Sequence, residues 1–280
     1  MQRNKKLFVT KASGLTESFS IRKLRKSLAR AKATPDEING IVDTILPRLY
    51  QGISTQKIYS EAFRLLRGQS KSNAARYYLK KGIMDLGPSG FPFEKFVGEL
   101  FRHQGYAVQV GRIVEGKCVQ HEIDIIAEKE KELFLMECKY RNQPGIAVDV
   151  KTPLYIHARF QDVLAKGLFD TDRFTGWIVT NSRFTNDALA FGNCKGLRML
   201  GWSYPQQNAL KEMIDNSGLY PLTCLTSLTS QEKKTLLAGE YVLIKDIYKN
   251  TRLLKKTGLS EKRINTVYEE GHKLCQSNNP

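Results

Sequence analysis

The chain has 280 residues, with 44 Lys or Arg against 28 Asp or Glu, a net charge of +16. Hydrophobic residues at 41% and charged residues at 26% exclude a wholly disordered chain, and no run approaches the roughly 20 apolar residues of a membrane span. Five scattered cysteines (Cys118, Cys138, Cys194, Cys224, Cys275) with no C-x-x-C pair argue against a zinc site or a disulfide framework.

A reducing, cytoplasmic setting is therefore expected, the more so because MQRNKKLFVTKASG has no apolar segment of the signal-peptide kind. The positive charge points to a polyanionic partner, nucleic acid above all, and no membrane partner is expected. The charge is uneven: residues 1–90 carry 18 basic and 6 acidic side chains, residues 91–205 carry 15 and 14, and residues 206–280 carry 11 and 8. The break coincides with the turn-forming run GPSGFP (Gly87 to Pro92), and a softer one falls at Tyr204-Pro205. Three units follow, 1–86, 91–204 and 207–275, with a disordered tail QSNNP.

In the first unit, LFVTKASGLTESFS reads as two short strands around a turn at Ser13-Gly14. IRKLRKSLARA has helical apolar spacing after a Ser20 N-cap. TPDEINGIVDTILPRLY opens a second helix with Pro35 at its first position after Thr34. A third helix starts at Ser54 or Thr55, and KSNAARYYLKKGIMDLG is a fourth. The order V-T-K-A-S-G, E-S-F, K-L, S-L, A, then G-I-S-T-x-x-I-Y and A-A-R-Y resembles the ATP-cone family of nucleotide-sensing domains over nearly all of residues 5–86. The resemblance implies an ATP or dATP effector held by Val9, Lys11, Glu17, Lys23 and Thr55, with the two lysines neutralising phosphate. The turn Lys11-Ala12-Ser13-Gly14 lacks the Arg usual in that family, which removes one phosphate contact. A purely packing or dimerising unit, and so a homodimer, is the alternative.

The second unit opens on FEKFVGELFRHQGY, where Phe93, Phe96, Val97, Leu100 and Phe101 form one helical stripe ended by Gly105. AVQVGRIV is a strand and EGK a turn. In HEIDIIAEKEKELFLMECKYR, two apolar runs flank EKEKE, the signal of a β-hairpin. Centred between Glu130 and Lys131, that hairpin pairs Glu128 with Leu133 and Ile126 with Leu135. It then sets Asp124 opposite Glu137 and Glu122 opposite Lys139. Facing acids weaken a sheet unless a cation compensates. The spacing D-x12-E-x-K suits phosphodiester hydrolysis: Asp124 and Glu137 as ligands of Mg²⁺ or Mn²⁺, Lys139 to orient water or stabilise developing charge. A plain cross-strand salt-bridge ladder accounts for the same spacing.

The segment as a whole resembles the PD-(D/E)xK nuclease superfamily, and within it the Mrr-like restriction endonuclease domain. The matching pieces are F-E-x-F-x-x-x-L-F-x-x-x-G-Y, E-I-D-I-I-A, E-C-K-Y, W-I-V-T-N-S-R-F-T-N-D-A-L-A-F and L-R-M-L-G-W, together about residues 91–204. The resemblance implies an α/β fold with a mixed central sheet flanked by helices. Its order is a helix, three strands, a helix (TPLYIHARFQDVLAKG), a strand, a helix and a final strand. It places a further catalytic acid at Glu94, which otherwise reads as a first-turn acid complementing the helix dipole. The glycines common before the acidic motif are replaced here by Val119-Gln120-His121-Glu122, leaving Glu122 and His121 beside the site without an assigned role. Arg141, Lys151, Arg159 and Arg183 are candidates for backbone phosphate contacts.

The third unit is all-helical, and its T-G-L-S-x-x-R-I-x-x-V pattern resembles a helix-hairpin-helix, with Gly258, Ser260, Lys262 and Arg263 facing a phosphate. A packing or dimerisation unit is the alternative. Taken together, the expectation is a metal-dependent DNA endonuclease of Mrr-like restriction type, acting on double-stranded DNA and regulated by nucleotide at the N-terminal unit. The rivals are a non-catalytic, nucleotide-responsive DNA-binding regulator and a structure-selective junction nuclease.

Overall fold

The computed structural model describes residues 6–169, 171–250, 252–255 and 257–276. The N-terminal segment forms the expected hairpin, β1 (Phe8–Thr10) and β2 (Thr16–Ser18), around a turn in which Gly14 takes φ +80°. Helices α1 (Ile21–Arg30), α2 (Pro35–Ile45) and α3 (Thr55–Gln69) follow, capped by Ser20, Thr34 and Ser54. Thr34 and Glu37 form a full capping box, each side chain accepting the other's backbone N–H. The run predicted as a fourth helix divides at Tyr78 into α4 (Lys71–Tyr77) and α5 (Leu79–Met84).

The central segment runs α6 (Phe91–His103), β3 (Ala107–Glu115), β4 (Gln120–Lys129), β5 (Glu132–Lys139), β6 (Ala147–Val148), α7 (Lys151–Ala165), β7 (Phe174–Thr180), β8 (Arg183–Phe184), α8 (Asn186–Cys194) and β9 (Arg198–Leu200). Five of the strands make one sheet in the order β3-β4-β5-β7-β9. The first three are antiparallel, and β5, β7 and β9 are parallel, linked through α7 and α8. This is the mixed sheet that the resemblance implies; the small β6–β8 ladder was not foreseen.

Alternation along β5 assigns each face. Phe134, Met136 and Cys138 pack with Phe93, Phe96, Val97, Leu100 and Phe101 of α6. Leu133 and Leu135 pack with Ile156, Phe160 and Val163 of α7. Each such side chain contributes about 1.5–3 kcal/mol by leaving water, so both faces of the sheet are firmly held.

The C-terminal segment adds α9 (Leu210–Ser217), α10 (Ser230–Ala238), α11 (Ile244–Lys249), α12 (Arg252–Lys255) and α13 (Glu261–Gln276). Its apolar residues join the α6-side core, as do Ala75, Leu79, Ile83 and Leu86, while Ala74 belongs to the N-terminal core. The boundary between cores thus runs through α4 rather than through GPSGFP. Contact is close at Gly82, where a Cβ would sit 2.6 Å from the Cys224 sulfur. Buried Arg76 donates to the Tyr220 hydroxyl and to the Leu274 carbonyl, both at 2.9 Å. Of the tail QSNNP expected to be disordered, Gln276 ends α13, and the remaining residues fall outside the described ones. No helix among the described residues is long and apolar enough to cross a membrane.

Candidate active site

The β4–β5 hairpin turns at Glu130-Lys131, with Glu130 taking φ +46° where a turn glycine is missing. The register follows expectation for Glu128↔Leu133 and Ile126↔Leu135, but the ladder ends at Ile125↔Met136. Asp124 and Glu137 are therefore not a ladder pair, nor are Glu122 and Lys139. Beyond Met136 the sheet forks: β5 keeps pairing with β7 as far as Lys139↔Thr180, while β4 leaves it. The Asp124 carboxylate bridges the fork by accepting the Cys138 backbone N–H at 2.7 Å.

Gly111 supplies the freedom for this. The β3–β4 register sets it against Asp124, it is absent from the ladder, and it takes φ +61°, a conformation costly for other residues. The strand turns over at this point, since Ile125 packs in the α6-side core and Ile123 in the α7-side core. The fork keeps the acids close without forcing them face to face across a ladder.

Glu137, only 4% exposed, is held by two cations. Lys139 donates to its Oε1 at 2.5 Å, and Arg159 of α7 donates to its Oε2 at 2.6 Å. Arg159 also donates to the Glu122 carbonyl at 3.1 Å and to the Tyr155 hydroxyl at 2.9 Å, with its guanidinium 4.8 Å from the Tyr155 ring centre. Glu94, in the first turn of α6, completes the acidic group. Burial, and then the charges of Asp124, Glu122 and Glu137, push its carboxyl up to about 7. Burial and Glu137 likewise push Asp124 upward, against the Cys138 N–H, Lys139 and Arg159. The buried Cys138 thiol is raised well above its ordinary range, first by burial and then by these acids. It is a wall of the site rather than a nucleophile.

The donor set suits a hard cation. The atoms offered are carboxylate oxygens, and after burial it is the charges of neighbouring acids that raise Glu94 and Asp124. Among the described residues no three His, Cys, Asp or Glu side chains form a ready metal cage. Two carboxylates completed by water are the arrangement Mg²⁺ commonly uses.

The remaining candidates fall as follows. His121 meets Asp162 of α7 at 2.8 Å, and Asp162 also accepts the N–H groups of Cys118 and Val119. His121 thus locks the β3–β4 turn onto α7, a pairing the sequence reading missed; Tyr155, Arg159 and Asp162 at i, i+4 and i+7 were the available signal. Glu122, Lys151 and Arg183 are exposed. Arg141 exchanges backbone hydrogen bonds with the Asn181 side chain, fixing the chain beyond Lys139. Arg159, expected to contact phosphate, is engaged at Glu137.

In the N-terminal hairpin, Lys11 and Lys23 both reach Glu17 Oε2, at 2.8 and 3.0 Å, while Val9 is a core residue paired with Glu17 across the hairpin. Thr55 opens α3 beside the bridge between Thr10 and Ser54. In the C-terminal segment Gly258 takes φ +78°, and Ser260 and Lys262 are exposed. Arg263 is exposed but engaged with Glu232, at 2.5 and 2.9 Å, and with the Ser227 carbonyl, so its guanidinium is already partnered. A cavity of about 1040 Å³ opens elsewhere, at the far end of β5 near Glu132, Phe134 and Trp177.

Residues 88–201 match the restriction endonuclease family of Mrr type, and residues 220–275 match the AF1548-like C-terminal family. An uncharacterized protein of Archaeoglobus fulgidus is 31% identical over 179 residues, 64% of this chain and 99% of its own length. The crystal structure of AF1548, a protein of unknown function, superposes with a TM-score of 0.56 at 31% identity, covering 67% of this chain and 98% of that one. The MspJI restriction endonuclease in complex with a 27-mer oligonucleotide aligns over 60% of this chain and 38% of its own at 13% identity, with a TM-score of 0.26 that carries no weight. On the near-complete match to the Archaeoglobus relative, the chain belongs to the AF1548-like family, and it carries a restriction endonuclease domain at residues 88–201.

Proposed function

We propose that this protein is a metal-dependent DNA endonuclease whose centre is Asp124, Glu137 and Lys139, with Glu94 in support. The observation that carries the reading is the gathering of these side chains at the fork between β4 and β5. Asp124 and Glu137 would hold Mg²⁺ or Mn²⁺, and Glu94 lies close enough to share the charge. A bound ion of this kind neutralises a phosphate and acidifies a water. Lys139, 30% exposed, would hydrogen-bond the attacking water or a phosphate oxygen as negative charge develops there. The bond from water to phosphorus forms as the bond to the leaving sugar oxygen breaks. Exposed Lys151 and Arg183 supply positive charge for the duplex backbone.

The N-terminal hairpin supports a subsidiary reading as a nucleotide sensor. Lys11 and Lys23 share one Glu17 oxygen, so both ammonium groups are gathered where phosphates would draw them. ATP or dATP bound there would be an effector rather than the hydrolysed substrate.

The test is supercoiled plasmid incubated with Mg²⁺ or Mn²⁺, with and without ATP or dATP. Wild type nicks or linearises it. Lys139→Ala loses at least about 100-fold in rate, the usual scale of one catalytic polar group, and keeps its affinity for DNA. Cleavage by Lys139→Ala at the wild-type rate refutes the site. Inertness of the wild type under every condition favours the non-catalytic DNA-binding regulator.

A further inference from the structure

We infer that Arg159 is a removable counter-ion: it holds Glu137 in the metal-free protein and passes to the DNA phosphate when a divalent cation takes that carboxylate. This rests on the metal-nuclease reading and adds to it a coupling between metal entry and DNA grip.

Both oxygens of the nearly buried Glu137 are taken by cations, Lys139 on Oε1 and Arg159 on Oε2. A divalent ion arriving at the same carboxylate meets two positive groups in a site of low dielectric, where repulsion is strong. One of them must withdraw. Lys139 sits two residues from Glu137 on the same strand, and the chemistry needs it there. Arg159 comes from a different element and already has other partners: the Tyr155 hydroxyl, the Tyr155 ring and the Glu122 carbonyl. Tyr155 is 59% exposed, so these partners lead out towards solvent.

A second observation points the same way. The Arg159 Nε–H is buried with no acceptor. A buried donor left unmet is costly, so the seat at Glu137 does not use the guanidinium fully. A phosphate takes Nε–H and Nη–H together as a planar fork, and it is the ligand class that binds beside a nuclease metal. Moving from Glu137 to phosphate would satisfy the unmet donor and free the carboxylate in one displacement.

The experiment uses the full chain and Ca²⁺, read by calorimetry without turnover, together with binding of a short duplex in EDTA or in Ca²⁺. Losing a charge-assisted competitor tightens Ca²⁺ binding to Arg159→Gln by on the order of tenfold. Ca²⁺ strengthens duplex binding by wild type, and this enhancement is lost in Arg159→Gln. Arg159→Lys keeps a charge without a fork. It tightens Ca²⁺ binding by a smaller factor and also loses the enhancement, so the proposal stays testable should the Gln variant fail to fold.

Ca²⁺ affinity equal to or weaker than wild type in the variants, with Asp124→Asn abolishing binding, overturns the counter-ion role and leaves the metal site standing. Binding of neither Ca²⁺ nor Mn²⁺ by wild type overturns the metal-nuclease reading itself.

Discussion

Asp124 accepts the Cys138 backbone N–H at 2.7 Å across the point where β4 and β5 part. One carboxylate oxygen therefore does the work of a ladder hydrogen bond, and the other is left for the site. A residue expected only to bind metal is also the fastening of the fork.

These two duties separate by mutation. Asn at 124 keeps a carbonyl oxygen for the Cys138 N–H and removes the charge. Asp124→Asn is expected to lose cleavage while its urea-unfolding stability stays within about 1 kcal/mol of wild type. Asp124→Ala strands a buried N–H and costs about 1–3 kcal/mol. Equal stability of the two variants would show that the hydrogen bond does not fasten the fork.

Glu94 gives a pH signature. Its carboxyl is pushed from an ordinary 4.5 up to about 7, first by burial and then by neighbouring acids. The unfolded chain gives up this proton more readily, so deprotonation favours unfolding, and stability falls as pH rises from 4.5 through 7. In metal-free protein, Glu94→Gln is expected to match wild type near pH 4 and exceed it at pH 8 by on the order of 1–2 kcal/mol, allowing for solvent screening. Urea midpoints at the two pH values measure this. A difference that is flat with pH, or of opposite sign, contradicts the crowding of acids at the fork.

Arg76 ties the N-terminal helices to the C-terminal segment through Tyr220 and Leu274, and its guanidinium lies 5.4 Å from the Tyr220 ring centre. Arg76→Ala removes two charge-assisted hydrogen bonds and leaves the Leu274 carbonyl without this donor. The expected cost is about 2–4 kcal/mol in chemical denaturation. A loss below about 0.5 kcal/mol would show that this buried cation does not hold the two parts together.

Local chemistry made much of this legible in the amino-acid order. The α6 stripe, the Ser20 and Thr34 caps and the β4–β5 register at Glu128↔Leu133 and Ile126↔Leu135 are set by side-chain spacing and by turn position, and each is found as expected. Periodicity states which face of an element is apolar; it does not state which other face will meet it, or where a ladder stops. The fork after Ile125↔Met136 depends on Gly111 of another strand and on a side chain replacing a backbone acceptor. The seat of Arg159 depends on α7 being packed beneath the sheet and locked there through Asp162 and His121. The division of α4 between two cores, Ala74 and Tyr77 in one and Ala75 in the other, depends on C-terminal residues far along the chain. The sequence by itself determined most of the elements and the inner hairpin register, and it named the acids and the lysine as candidates. Tertiary structure alone decided how those charges are held apart and which cation guards them, because that balance is struck between residues that only long-range packing brings together.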